Sequence, residues 1–284
     1  MKIIRILFLF LIVLCVAFSG CISNDDNSAK NTFEPDNFLK SAYLSEDNTT
    51  LTMVFDEDFD SNFHWEMTLE SDTVLKILTN EKMSSDNVSQ KMGKHEWTFE
   101  GNTTGATELI FEYINPSKNY TPERHMYSVT NENGNLKILS VNSFSGNKSQ
   151  GWVPYSEWIN INENNTLLRF GGHGVMSSGG GKGEWELKQS QNDILHIINS
   201  SSLYNTTDPG YGGCLWEVEG QNSGNVILTL NYVYLDSDYV VNSEVGIVTE
   251  IIYEIRNENG KLSILSASHN SIKGDPMPYQ KVKK

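Results

Sequence analysis

The chain has 284 residues, 36 acidic against 21 basic side chains, a net charge of -15 and three cysteines. That length allows one large domain or two ordinary ones with adequate cores, and the acidity excludes a basic nucleic-acid binder. With 38% apolar and 11% aromatic residues, most of the chain should fold rather than stay disordered.

Lys2 and Arg5 precede an apolar run from Ile6 to Phe18, the size of a secretory h-region and too short for an ordinary spanning helix. Ser19 and Gly20 then lead into Cys21. Small residues before a cysteine at this point resemble the lipobox of secreted lipoproteins, in which the thiol is lipidated and becomes the new N-terminus. A plain cleaved signal and an uncleaved anchor remain alternatives, and each exports the rest of the chain. The expectation is a signal peptide over 1–20, a lipidated Cys21 opening a polar tether over 21–39, and a lipid-anchored protein on the extracellular face of the cell membrane. Cys15 leaves with the signal, so Cys214 stands alone and no intrachain disulfide is expected.

From there the chain is written twice. Trp65-Glu66 recurs as Trp185-Glu186, while Trp97, Gly101, Gly105 and Tyr113 recur as Trp216, Gly220, Gly224 and Tyr232. Asn131-Glu132-Asn133-Gly134 recurs as Asn257-Glu258-Asn259-Gly260. Such self-similarity predicts two homologous domains, over 40–155 and 156–284. In chain order, Leu75 to Leu78, Leu109 to Tyr113, Tyr127 to Val129 and Leu136 to Leu139 read as strands. In the second copy so do Ile194 to Ile198, Val226 to Tyr232, Ile251 to Ile255 and Leu262 to Leu265. Each Asn-Gly pair sits between two strand patterns and permits the positive φ of a tight hairpin. With no helical period in the mature chain, the expected class is all-β: two tandem immunoglobulin-like antiparallel β-sandwiches with the tryptophans as core fillers. Residues 143 to 160 read equally well as a linker or a docked strand.

Catalytic and metal chemistry find little support in the spacing. The six histidines never fall at the short intervals that put two imidazoles on one metal, so no metal centre and no cofactor are expected. Cys214 has no counterpart in the first copy and reads as a small buried hydrophobe rather than a nucleophile. The run Asp56 to Asp60 starts like a calcium loop but has Ser61 where Gly is needed and Met67 where Glu is needed, and reads as a solvated acidic loop. Gly179 to Gly183 lacks the Ser or Thr of a phosphate loop.

Three loops carry a more specific likeness. Their order in each copy resembles the chagasin family of cysteine protease inhibitors, whose loops read Asn-Pro-Thr-Thr-Gly-Tyr-x-Trp, Gly-x-Gly-Gly, and Arg-Pro-Trp shortly after a Tyr. Gly210-Tyr211-Gly212-Gly213 before Trp216 matches the second loop, of which the first copy keeps Gly93. Ser61-Asn62-Phe63-His64-Trp65 keeps parts of the first loop, and Pro116 after Tyr113 keeps the Pro of the third; Tyr234 follows Tyr232 at the same place in the second copy. The resemblance implies an immunoglobulin-like sandwich, no enzymatic activity, and a papain-like cysteine protease as partner. It also implies a wedge of loops that covers the protease thiolate. The contact residues it implies are Ser61, Asn62, Phe63, Gly93 and Pro116 in one copy and Gly210, Gly212, Gly213 and Tyr234 in the other. A cell-surface adhesion or ligand-binding module on the same sandwich is the alternative.

Overall fold

A computed structural model describes residues 38–59, 61–84, 92–117, 120–145, 155–175, 183–204, 211–234 and 247–271. The first half of the chain supplies β1 (Phe38–Leu44), β2 (Thr50–Asp58), β3 (His64–Leu69), β4 (Leu75–Ser84), β5 (Met92–Gly101), β6 (Gly105–Asn115), β7 (Tyr120–Glu132) and β8 (Asn135–Ser145). The second supplies β9 (Tyr155–Ile161), β10 (Leu167–Val175), β11 (Gly183–Gln189), β12 (Leu195–Tyr204), β13 (Tyr211–Gly220), β14 (Gly224–Tyr234), β15 (Ile247–Glu258) and β16 (Lys261–Ser271). Every predicted strand falls on one of these, with Ile194 alone preceding its strand by a residue. The segment that read either way in the sequence is docked strand over its described residues, since β9 pairs with β8.

All pairings are antiparallel, and those within β9–β16 follow those within β1–β8 one for one. In each half the first, second, fifth and fourth strands form one layer, and the third, sixth, seventh and eighth the other. This is the constant-type immunoglobulin order with a strand added. Alternation along β6 shows how the sequence sets the layers: Leu109 and Phe111 are buried and Glu108, Ile110 and Glu112 are not. Phe55 of β2 packs between the layers against Trp65 and Phe111, both at 4.6 Å, and Trp97 meets Phe111 edge to face. Trp65, Trp97 and Trp216 are buried as expected, while Trp185 is half-buried at the margin of the core.

The halves are joined by exchange of partners. β1 pairs with β16 from Phe38↔Ser271 to Tyr43↔Ser266, and β9 pairs with β8 from Tyr155↔Ser145 to Asn160↔Ser140. Each layer of one half therefore continues into a layer of the other, giving two runs of eight strands. Among the described residues the runs pair at a single rung, Ile138↔Ile264, two residues that occupy the same place in the repeat. Pro35–Lys284 is accordingly one compact unit by its contacts.

The repeated Asn-Glu-Asn-Gly motif closes each sandwich at the end opposite the three loops. Asn133 and Gly134 take positive φ (57° and 91°), as do Asn259 and Gly260 (54° and 82°), which is the hairpin geometry expected. The first Asn of the motif has a role the sequence does not advertise. Asn131 is buried, its Oδ1 accepts from Gly134 N at 2.7 Å, and its Nδ2 donates to Thr103 O at 3.0 Å. Asn257 repeats this with Gly260 N at 2.9 Å and Asn222 O at 2.8 Å. Gly101 and Gly220 recur because a Cβ there would collide with these amides. Asn131→Ala should cost about 1–2 kcal/mol in urea unfolding, since it removes the partners of a half-buried N–H and a C=O, and Gly101→Ala should destabilise for the same clamp. An unchanged midpoint in both would show that the clamp contributes nothing.

Candidate functional site

At the loop end of the first half, register brings the three implied loops together. Asp58 ends β2 opposite Met92 of β5, and His64 opens β3 opposite Ile114 of β6. Ser61, Asn62, Phe63 and Pro116 line one open groove of about 470 Å³, together with Glu57, Phe59, His64, Lys82 and Ser117. Gly93 belongs to the same neighbourhood, because a Cβ on it would run into the Phe59 ring. All five residues implied for the first copy thus meet.

Their roles differ. Ser61 shapes its own loop: its hydroxyl donates to Asp58 O at 2.8 Å and accepts from Phe63 N at 3.1 Å, a local turn that holds the backbone. Phe63 is stacked on Tyr113 at 5.3 Å, and Tyr113 in turn lies 5.0 Å from Trp65, so the loop aromatic is braced by the core. Asn62 and Pro116 are exposed. Gly93 lies within β5, opposite Ser84 and Glu57, rather than in a loop. Its bare backbone is what lets Phe59 lie flat across the strand, where Lys82 Nζ sits 5.7 Å over the ring.

Beneath the groove is a charged arrangement that the sequence reading missed. Glu57 is only 2% exposed, whereas the acidic run around it reads as a solvated loop; Asp56, Glu57 and Asp58 are in fact strand, where alternation turns Glu57 inward. Glu57 Oε1 accepts from Lys82 Nζ at 2.6 Å, and Oε2 lies 3.2 Å from His95 Nδ1. His95 Nε2 is 2.7 Å from Asn80 Oδ1, and its ring stacks on Trp97 at 3.6 Å. Burial pushes the Glu57 carboxyl up, but hydrogen bonds from His95 and Lys82 and the Lys82 charge outweigh it and hold the pKa below the ordinary carboxylate value.

The second half is built differently at the matching positions. The Phe55↔His95 rung has become Gly172↔Cys214, and the Trp185 ring covers Gly172 instead. Gly212 and Gly213 are strand residues of β13, opposite Gly174 and His173, and Tyr234 is the last residue of β14, opposite Gly183. Extended glycines facing one another pair as strand, so the second-loop motif lies largely beyond the loop that precedes it. A Cβ on Gly213 would meet Gly172 O and the His173 ring, so this glycine is required by packing. Gly210 and Cys21 lie outside the described residues. Cys214 is buried with its Sγ directed at Gly172 O, and burial pushes the thiol up to about 12, which removes it as a nucleophile.

A carboxyl held below its unfolded pKa contributes stability that is complete above the unfolded value and is lost as pH falls through the folded one. Wild-type stability should therefore fall below about pH 4.5 with a component due to Glu57. Glu57→Gln should flatten that component in urea unfolding between pH 5 and 3 while lowering stability at pH 7. Parallel profiles for the two proteins would remove Glu57 from the acid dependence.

Among curated proteins, none matches this chain. Of solved structures, the chain is similar to the Streptococcus agalactiae AgI/II polypeptide BspA C-terminal domain at 9% identity and a TM-score of 0.19, covering 80% of this chain and 99% of that one. A second, "BspA_C_WT", has 12% identity and a TM-score of 0.18, with 79% and 98% covered. Residues 46–130, from the turn after β1 into β7, match the family model described as Chagasin family peptidase inhibitor I42.

Proposed function

We propose that this protein inhibits papain-like cysteine proteases, with the loop end of the first half entering the active-site cleft. The observation that carries this reading is the meeting of Ser61, Asn62, Phe63, Gly93 and Pro116 within the segment that matches the inhibitor family. Inhibition by occlusion needs a stiff probe, because loops already held in the bound shape lose less entropy on docking. Phe63 stacked on Tyr113, the Ser61 turn and the Glu57–Lys82 pair below supply that stiffness. Phe63 and Pro116 offer rigid apolar contact, and Asn62 an exposed polar one. No step of this mechanism asks the protein to perform chemistry.

On this reading the chain comprises two chagasin-like halves, 40–155 and 156–284, of which the second has kept the sandwich with an altered loop end. Exported behind a signal peptide and lipidated at Cys21, it would act from the outer face of the membrane. A single acyl chain holds a protein to a bilayer only weakly, so stable anchoring implies a multiply acylated terminus.

Titrating papain with the full chain should give stoichiometric inhibition, and Phe63→Ala should weaken it by about 30-fold, the effect of one central contact residue, with the unfolding midpoint little changed. No inhibition by folded protein at micromolar concentration would overturn the reading in favour of a surface binding module that uses the groove for another ligand. Gly212→Trp tests the second half separately: if only the first half acts, inhibition by the folded variant is retained. Incorporation of labelled palmitate should be abolished by Cys21→Ala, and equal labelling of both proteins would exclude the anchor.

A further inference from the structure

Where the two runs of strands cross, they enclose a polar cluster that protease inhibition does not use. Lys40 on β1, His125 on β7, Ser143 on β8, Glu157 on β9 and His269 on β16 are buried there, and the Glu123 side chain on β7 is 15% exposed. Glu123 Oε1 lies 2.8 Å from Lys40 Nζ and 2.8 Å from His125 Nε2. His125 Nδ1 is 2.8 Å from Ser143 Oγ, and the His125 and His269 rings meet edge to face at 5.6 Å. His269 Nδ1 approaches Glu157 Oε1 to 2.9 Å, but at an angle too poor for a hydrogen bond, and among the described residues neither atom has another partner.

Two features of this cluster call for a cation. Among the described residues the cluster holds two carboxylates and one ammonium, so with neutral imidazoles these groups carry a surplus negative charge in a place from which water is largely excluded. A buried carboxylate oxygen and a buried ring nitrogen are also left without good hydrogen bonds, a costly arrangement unless something else orders the two rings. One ligating atom from each of Glu123, His125 and His269 falls within 4.8 Å of the others. His125 Nδ1 is hydrogen-bonded to the Ser143 hydroxyl, an outer partner of the kind that orients a ligating imidazole, while His269 Nδ1 lies 2.9 Å from the Glu157 carboxylate without a hydrogen bond. Glu123 has a second oxygen free to ligate while Oε1 holds Lys40.

We propose that Glu123, His125 and His269 form a divalent metal site of the zinc class, a two-His, one-carboxylate set that fastens β7 of one run of strands to β16 of the other. Nitrogen and oxygen donors in this ratio suit zinc and its neighbours better than calcium or magnesium, which take oxygen alone. Two of the three ligands are buried and Glu123 is 15% exposed, which leaves the ion's fourth position to a water molecule. The ion fastens the two halves across their crossing point, and its site stands independently of protease inhibition.

The test uses the full chain stripped with chelator and titrated with zinc chloride, read by calorimetry and thermal unfolding. One equivalent should bind, and Tm should rise by about 5 °C or more at zinc roughly 100-fold above its Kd. Cobalt(II) in the same site should give the intense visible bands of a tetrahedral centre. His269→Gln should abolish both the stoichiometric uptake and the Tm rise, while His196→Gln, at an exposed histidine, should leave them intact. Ser143→Ala, a mild change that keeps the ligands, should weaken zinc about 10-fold. Absence of stoichiometric uptake by folded wild-type protein overturns the site. So does a zinc response unchanged in His269→Gln; if that variant fails to fold, an unchanged affinity in Ser143→Ala or a cobalt spectrum without tetrahedral bands does the same.

Discussion

The structure depends on the exchange of edge strands between its two halves. A sandwich that ends on β8 alone would present a row of unpaired backbone N–H and C=O groups, the feature that makes edge strands prone to unwanted pairing. Here β9 covers β8 and β1 covers β16, so each half supplies the strand that closes the other. The rung Ile138↔Ile264 marks the pseudo-two-fold axis, because only on such an axis do equivalent residues of two repeats pair with each other. One consequence is a single continuous core running through both halves.

Another is an asymmetry imposed on a symmetric frame. Lys40 on β1 and Glu157 on β9 stand opposite Phe55 and Gly172, the same register position of each repeat. Opposite charges at equivalent positions let the two copies complement each other across the crossing, whereas like charges there would repel. His125 faces Ser143 on the first β7–β8 type rung, and Ile251 faces His269 on the second. Divergence of the copies has thus concentrated its polar residues where they meet.

Each sandwich has one end that is tied and one that is left for contact. Asn131 and Asn257 bind loop backbone at the tied end in the same way in both copies. The loop end of the first half is braced from below by Glu57, His95 and Lys82, so its short loop can carry Phe63 and Asn62 without being part of the core. The second half lacks this brace, since Gly174 and Cys214 stand where Glu57 and His95 do. That contrast is the physical reason for assigning the inhibitory contact to the first half.

The sequence alone determined the all-β class, both Asn-Gly hairpins, the buried tryptophans and the order of three loops, because each follows from local periodicity, turn chemistry or the comparison of one repeat with the other. It placed Ser61, Asn62, Phe63 and Pro116 together through family likeness, and no spacing could have done so. It misread Glu57, since a run of carboxylates looks the same in a loop and in a strand until the alternation is set by a partner. Gly93, Gly212 and Gly213 were read as loop, for glycine is silent about whether it pairs. Only the tertiary structure decided the exchange of β1 and β9, and with it the meeting of Glu123, His125 and His269. Those contacts join residues far apart in the chain, and long-range pairing leaves no period in a sequence to read.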